Sequence, residues 1–262
     1  MFLTKRSIFK ITFLAVCYFI LGSAFLGLYS LSGDSFLRSL AIFMYAFCPI
    51  FVIWGRYAEG KGKLINLGNK LVRCELKPAE FIKEYERINA SEDYAVKRPG
   101  IEVLLLVAVA YDILGDKEAA LSTADEMIRV ASKKKRNGAR LVKSALLFSY
   151  GKTDEAEIIF NEVRALKLDI GSRTLADAIL KGDRANALGD YKTAEAYNLA
   201  NLSRPFPKLD NLSRLSVNFS LAEIYEKMGE VDKAISHYKY CLENGGETEL
   251  KPRAAEALER LG

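Results

Sequence analysis

Histidine and tryptophan each occur once in this 262-residue chain, and proline only six times. A lone imidazole, His237, excludes multi-histidine metal centres and leaves little material for a Ser–His–Asp relay. Cysteine is scarce as well. Cys17, Cys48, Cys74 and Cys241 include no CxxC pair, which argues against a zinc site and a disulfide framework and for reduced, buried thiols. No phosphate loop, nucleophile elbow or paired-carboxylate motif occurs, so no catalytic residue, metal or cofactor is nominated and no enzyme activity is expected. A dispersed net charge of +5, without any nucleic-acid-binding signature, argues against DNA or RNA as a partner.

Charge itself is missing from two stretches near the start, Ile11–Leu31 and Ser39–Gly55. A helix needs about 20 apolar residues to cross ~30 Å of hydrocarbon. The first stretch meets that length. The second approaches it with Phe36, Leu37 and Tyr57 added, Arg38 and Arg56 lying at its ends. Ser32-Gly33-Asp34-Ser35 is a polar turn between them, so residues 1–60 read as a transmembrane helical hairpin with spans 11–31 and 39–55. Lys5, Arg6 and Lys10 precede it, and Arg56, Lys61 and Lys63 follow. By the positive-inside rule, both termini and the rest of the chain are then cytoplasmic, in an integral protein of a bacterial plasma membrane. Two lesser alternatives are a cleaved signal peptide, for which the apolar core is long, and a lipoprotein box at Leu14-Ala15-Val16-Cys17, where Val16 replaces the expected small residue.

Residues 61–100 read as juxtamembrane and capping helices. Leu64, Leu67 and Leu71 share one side of a helix that either lies along a membrane surface or simply links, and Gly68 weakens it. Pro78 suits a helix start, after which Phe81, Tyr85 and Ile88 fall on one face.

Residues 101–262 are repetitive. Ala110–Ala120, Leu147–Ala156, Ala185–Ala194 and Ile224–Ala234 share one design: a helical stretch ends at glycine, and alanine follows five residues later. The glycines, Gly115, Gly151, Gly189 and Gly229, lie 36, 38 and 40 residues apart. Glycine takes the left-handed conformation that closes a helix. Asp116, Thr153 and Asp190 can cap or complement the next one, and alanine permits a close helix crossing. Val103–Tyr111 is a nine-residue apolar run, read as a buried first helix. Leu250, Ala254, Leu258 and Leu261 line one side of a C-terminal capping helix.

The pattern resembles the tetratricopeptide repeat family, a helix–turn–helix unit of about 34 residues. Leu221, Ala222, Tyr225, Gly229, Ala234 and Tyr238 match best. No copy has the family's tryptophan, and Ala124 and Asn198 stand where Phe160 and Tyr238 supply an aromatic. The resemblance implies an all-α solenoid of about four helix pairs whose first helices line a concave, partner-binding face. On that face, Asp183 and Asn186 are repeated 40 positions later by Glu223 and Glu226, with Lys227 alongside, and these five are the candidate groove. A carboxylate clamp known in some relatives is missing, since Leu105, Val109, Leu141 and Ala145 occupy its places. Lys133, Lys134, Lys135, Arg136 and Arg140 form the strongest basic cluster, either a solvated loop or a contact for anionic lipid.

The function expected from these features is a membrane-anchored, tetratricopeptide-like adaptor that gathers a protein partner at a cytoplasmic surface. The alternative is an accessory or sensor subunit of a membrane enzyme or transporter, docked through the hairpin.

Overall fold

The computed structural model describes residues 5–43, 62–90, 99–205 and 208–262, with side chains in the first helix from Val16 onward, Tyr18 excepted. Among these residues every regular element is helical. The chain divides into two compact units, Met1–Leu64 with Tyr85–Arg98, and Ile65–Glu84 with Pro99–Gly262.

In the first unit, α1 (Lys5–Ser32) ends where the polar turn was expected, and α2 is described over 35–43. Gly33 has φ +73°, and the Asp34 carboxylate accepts the Phe36 amide at 2.8 Å, so the turn caps α2. The expected localisation is corrected here. Among the described residues no helix is long and apolar enough to cross a membrane, so the transmembrane hairpin and the sidedness derived from it are unsupported. The second stretch is described only to Phe43, and its remainder lies outside the described residues.

The second unit opens with helical residues that run into a π-helical turn, Asn69–Cys74. Leu71 and Val72 are buried there, so this apolar side is taken up inside the protein. Gly68 has a packing reason: a Cβ at that position would stand 2.7 Å from Leu106 Cδ1 and 3.1 Å from the Phe81 ring. Phe81, on α3 (Pro78–Ala90), is fully buried.

The repeats follow as α4 (Ile101–Ile113) with α5 (Lys117–Val130), α6 (Arg136–Ser149) with α7 (Thr153–Arg164), and α11 (Asn211–Met228) with α12 (Val231–Asn244). The third pair is irregular: α8 (Ile170–Lys181) breaks at Gly182, a short α9 (Asp183–Ala187) resumes, and α10 (Tyr191–Leu202) closes it. A last helix, α13 (Leu250–Leu261), packs on α12 and α11.

Gly115, Gly151, Gly189 and Gly229 have φ of +81°, +75°, +80° and +76°. A side chain disfavours that conformation, which is why the helix-ending residue is glycine four times. Asp116 and Asp190 cap the following helices through the amides of Ala119 and Thr193 at 3.0 and 3.2 Å. Thr153 makes no such cap; Asp154 and Glu155 in the first turn of α7 favour its positive end instead. Ala120, Ala156, Ala194 and Ala234 are each wholly buried, as close crossings require. Phe160 and Tyr238 fill the wider gaps and meet Phe148 and Phe219 edge-on, with centroids 6.2 and 5.6 Å apart. Each such ring adds about 1.5–3 kcal/mol of burial. Asn198 sits where an aromatic is missing and satisfies its amide through Ala194 O at 2.9 Å and Ser220 Oγ at 3.3 Å.

The array also closes on its own beginning. The amides of Glu247 and Glu249 donate to Leu76 O at 3.0 Å and Ile113 O at 2.8 Å. Nearby, the Asn211 side chain donates to Cys74 O at 2.7 Å, and Arg73 pairs with Asp210 at 3.1 Å. Leu76 is buried at φ +55°, a conformation that costs a leucine about 1–2 kcal/mol.

Candidate functional site: the inner hollow of the array

Closure leaves a hollow of about 690 Å³ walled by α4, α6, α9, α11 and α13. Helix ends supply its polar groups. Asp112 sits in the last turn of α4, and its carboxylate accepts the Tyr150 hydroxyl at 2.7 Å. Asp183 opens α9, because the break at Gly182 restarts the helix there. Packing leaves little room for a side chain at the break: a Cβ at Gly182 would meet Ala178 O at 3.1 Å and the Tyr197 ring at 3.2 Å. On α11, Glu223 pairs with Arg253 of α13 at 2.8 Å, and that guanidinium lies 4.5 Å from the centre of the Phe219 ring. The Lys117 ammonium stands 5.3 Å over the Tyr150 ring.

Three carboxyls of the hollow, Asp112, Asp183 and Glu223, hold their protons more readily than free acids do. Crowding by protein and then the neighbouring Asp112 charge push Asp183 up to about 7. Asp183 is nonetheless an exposed residue, and solvent screening tempers the rise. Burial also raises Asp112, against the opposing pull of Tyr150, Arg253 and Lys117. Glu223 is raised by burial, with Arg253 lowering it. Tyr150 is raised by burial and by Asp112, so its hydroxyl remains a donor.

Of the five residues nominated for a groove, Asp183, Asn186 and Glu223 wall this hollow. Glu226 and Lys227 line an adjoining recess of about 390 Å³ with Asn186 and Glu223. Glu226 is already engaged, accepting the Tyr238 hydroxyl at 2.9 Å and pairing with Arg260 at 2.8 Å. Sequence reasoning missed Asp112, Tyr150 and Arg253. A signal for Asp112 existed: it lies three residues before its repeat glycine, as Asn186 and Glu226 do before theirs. Nothing comparable pointed to Arg253, which comes from outside the repeats.

Two members of the basic cluster are paired. Lys135 pairs with Glu102 and Arg140 with Glu162, while neighbouring Lys143 pairs with Asp125 at 2.6 Å. These links stitch successive helices, leaving Lys133, Lys134 and Arg136 as exposed side chains at the start of α6. His237 is an internal fastener: its Nδ1 lies 2.8 Å from Asn218 Oδ1, and its ring stacks on Tyr225. Burial pushes the Cys241 thiol up to about 12, which keeps it inert, whereas Cys74 is exposed, contrary to the expectation of buried thiols.

Comparison of the chain with protein-family models found no match, and comparison with curated proteins found none.

Proposed function

We propose that this chain is a protein-binding adaptor of the tetratricopeptide kind, whose inner hollow receives a segment of a partner polypeptide. The observation that carries this reading is the hollow of about 690 Å³, walled by helices from successive pairs and lined by hydrogen-bonding and aromatic side chains. Its volume lies within the usual 300–1,000 Å³ of ligand sites. The four-fold recurrence of left-handed glycine and buried alanine supports the family likeness. Solenoid proteins use such inner surfaces for recognition.

A photo-crosslinking residue at Asn186, in the full chain expressed in its native cells, tests the reading. The expected result is a discrete protein adduct from Asn186 and none from the exposed outer position Ile158. Equal labelling from both positions, or none from Asn186, contradicts it.

A second reading has its own observation. In the first unit, Ile20, Leu28, Leu31, Phe36 and Ile42 are exposed large apolar residues. This favours an accessory subunit docked on a larger assembly through α1 and α2. Loss of assembly on changing Leu28 and Leu31 to aspartate, with Asn186 crosslinks intact, would favour this reading over the adaptor.

A further inference from the structure

We infer that the turn between α7 and α8 carries a second docking site, one that takes an acidic segment of a partner polypeptide and seats one of its aliphatic side chains. The site lies outside the hollow, so it stands or falls independently of the adaptor reading.

Charge is the first observation. Arg164, Lys167 and Arg173 line a recess of about 300 Å³. All three are exposed, and none pairs with a carboxylate among the described residues. Arg173 makes only a long contact, 3.4 Å, to the Leu168 carbonyl. The acids nearby are already engaged. Glu162 pairs with Arg140, Asp177 pairs with Lys181 at 3.1 Å, and Asp169 caps α8 through the Ser172 amide at 3.0 Å. The turn therefore presents uncompensated positive charge.

The same edge continues into the basic cluster. The starts of α6 and α8 are neighbours, since a Cβ at Gly138 would stand 3.5 Å from Ser172 Oγ. Lys133, Lys134 and Arg136 at the start of α6 are likewise without an ion pair among the described residues. Two adjacent turns thus add their fields, which draws in an acidic chain and sets its approach.

Shape is the second observation. Leu166 and Ile170, beside these bases, are 49% and 83% exposed, while the more buried Leu168, Ala176 and Leu180 line the recess. Its volume is at the lower bound of ligand sites, which suits one inserted side chain. A flat bilayer would cover Leu166 and Ile170 but leave the recess unfilled. A nucleic acid finds no ring on which to stack a base, because no aromatic side chain is among the described residues that line the recess. An acidic peptide uses both features: its carboxylates meet the bases, and its aliphatic side chain fills the recess.

Calorimetry on the full chain with three pools of short peptides is the test. One pool has leucine flanked by glutamates, the second leucine flanked by lysines, and the third serine flanked by glutamates. The first should bind about tenfold or more tighter than either of the others, and its affinity should fall as salt is raised. Lys167→Glu combined with Arg173→Glu, both on the surface, should weaken that binding about tenfold, whereas Ser216→Trp in the hollow should leave it unchanged. If the two glutamate pools bind alike, the seat for a side chain falls. If the double variant binds the first pool as tightly as the unmodified chain does, the proposal falls entirely. Vesicles of equal parts phosphatidylserine and phosphatidylcholine are the remaining probe. Should they bind the chain, lose it in the double variant, and no peptide pool bind, the edge is a lipid contact and the peptide assignment is overturned. Crosslinks from Asn186, which read the hollow, are untouched by any of these outcomes.

Discussion

The backbone amide of Glu247 donates to the carbonyl of Leu76 at 3.0 Å, joining the segment after the last repeat to the segment before the first. Gly246, at φ +55°, makes the approach possible; a Cβ there would stand 2.6 Å from Leu76 Cβ. Gly246→Ala should therefore cost about 2–4 kcal/mol, from left-handed strain together with overpacking. Urea unfolding of the second unit checks this. An unchanged midpoint would mean that the junction contributes little.

The repeat glycines separate two effects. Gly151, Gly189 and Gly229 have nothing within 4 Å of an added Cβ, so alanine there meets only the backbone penalty. Each should cost about 1–2 kcal/mol. Gly115→Ala should cost more, because its Cβ would also stand 3.0 Å from Glu249 Cγ. Thermal melts of the four single variants give the order directly.

Phe160 is fully buried, edge-on to Phe148, between the second and third pairs. Phe160→Ala should cost about 3–5 kcal/mol, through lost transfer energy and the cavity left behind. Ala124, the residue at the matching place one repeat earlier, is itself wholly buried. Ala124→Phe should destabilise by about 1–3 kcal/mol by overpacking, so the two sites respond to opposite changes in size.

Asp183 gives a pH signature of known sign. Its folded value is raised to about 7 from an ordinary 3.8, so ionisation is harder in the folded chain than in the unfolded one. The stability associated with the protonated acid is fully present below about pH 4 and is lost as pH rises through about 7. Asp183→Asn should flatten the fall in melting temperature between pH 5 and pH 8 while leaving it nearly unchanged at pH 4. A parallel decline in both proteins would show that Asp183 is relaxed in its surroundings.

The helix pairs were legible because their determinants are local. Gly115 and Ala120, or Gly229 and Ala234, lie five positions apart within one hairpin, and each reports a backbone angle or a crossing that sequence alone requires. The charges of the hollow were only partly legible. Asp183, Asn186 and Glu223 follow the repeat register, whereas Arg253 reaches the same space from α13, outside the repeats, which no periodicity encodes. The close packing at Gly182 was invisible for a similar reason, since its neighbour Tyr197 comes from α10. Hydropathy over Ile11–Leu31 misdirected the reading of localisation. An uncharged run reports only that a segment avoids water, while a span also needs a helix long and apolar enough to cross the bilayer, and none is found among the described residues.

The account depends most on an array whose ends meet beside the hollow. Spin labels placed through unnatural amino acids at Lys77 and Glu247 of the full chain would report this directly by pulsed dipolar spectroscopy. A single narrow population at short separation is the predicted result, widened by Gly246→Ala. A long, broad distribution in the unmodified chain would contradict the closed array and the hollow with it.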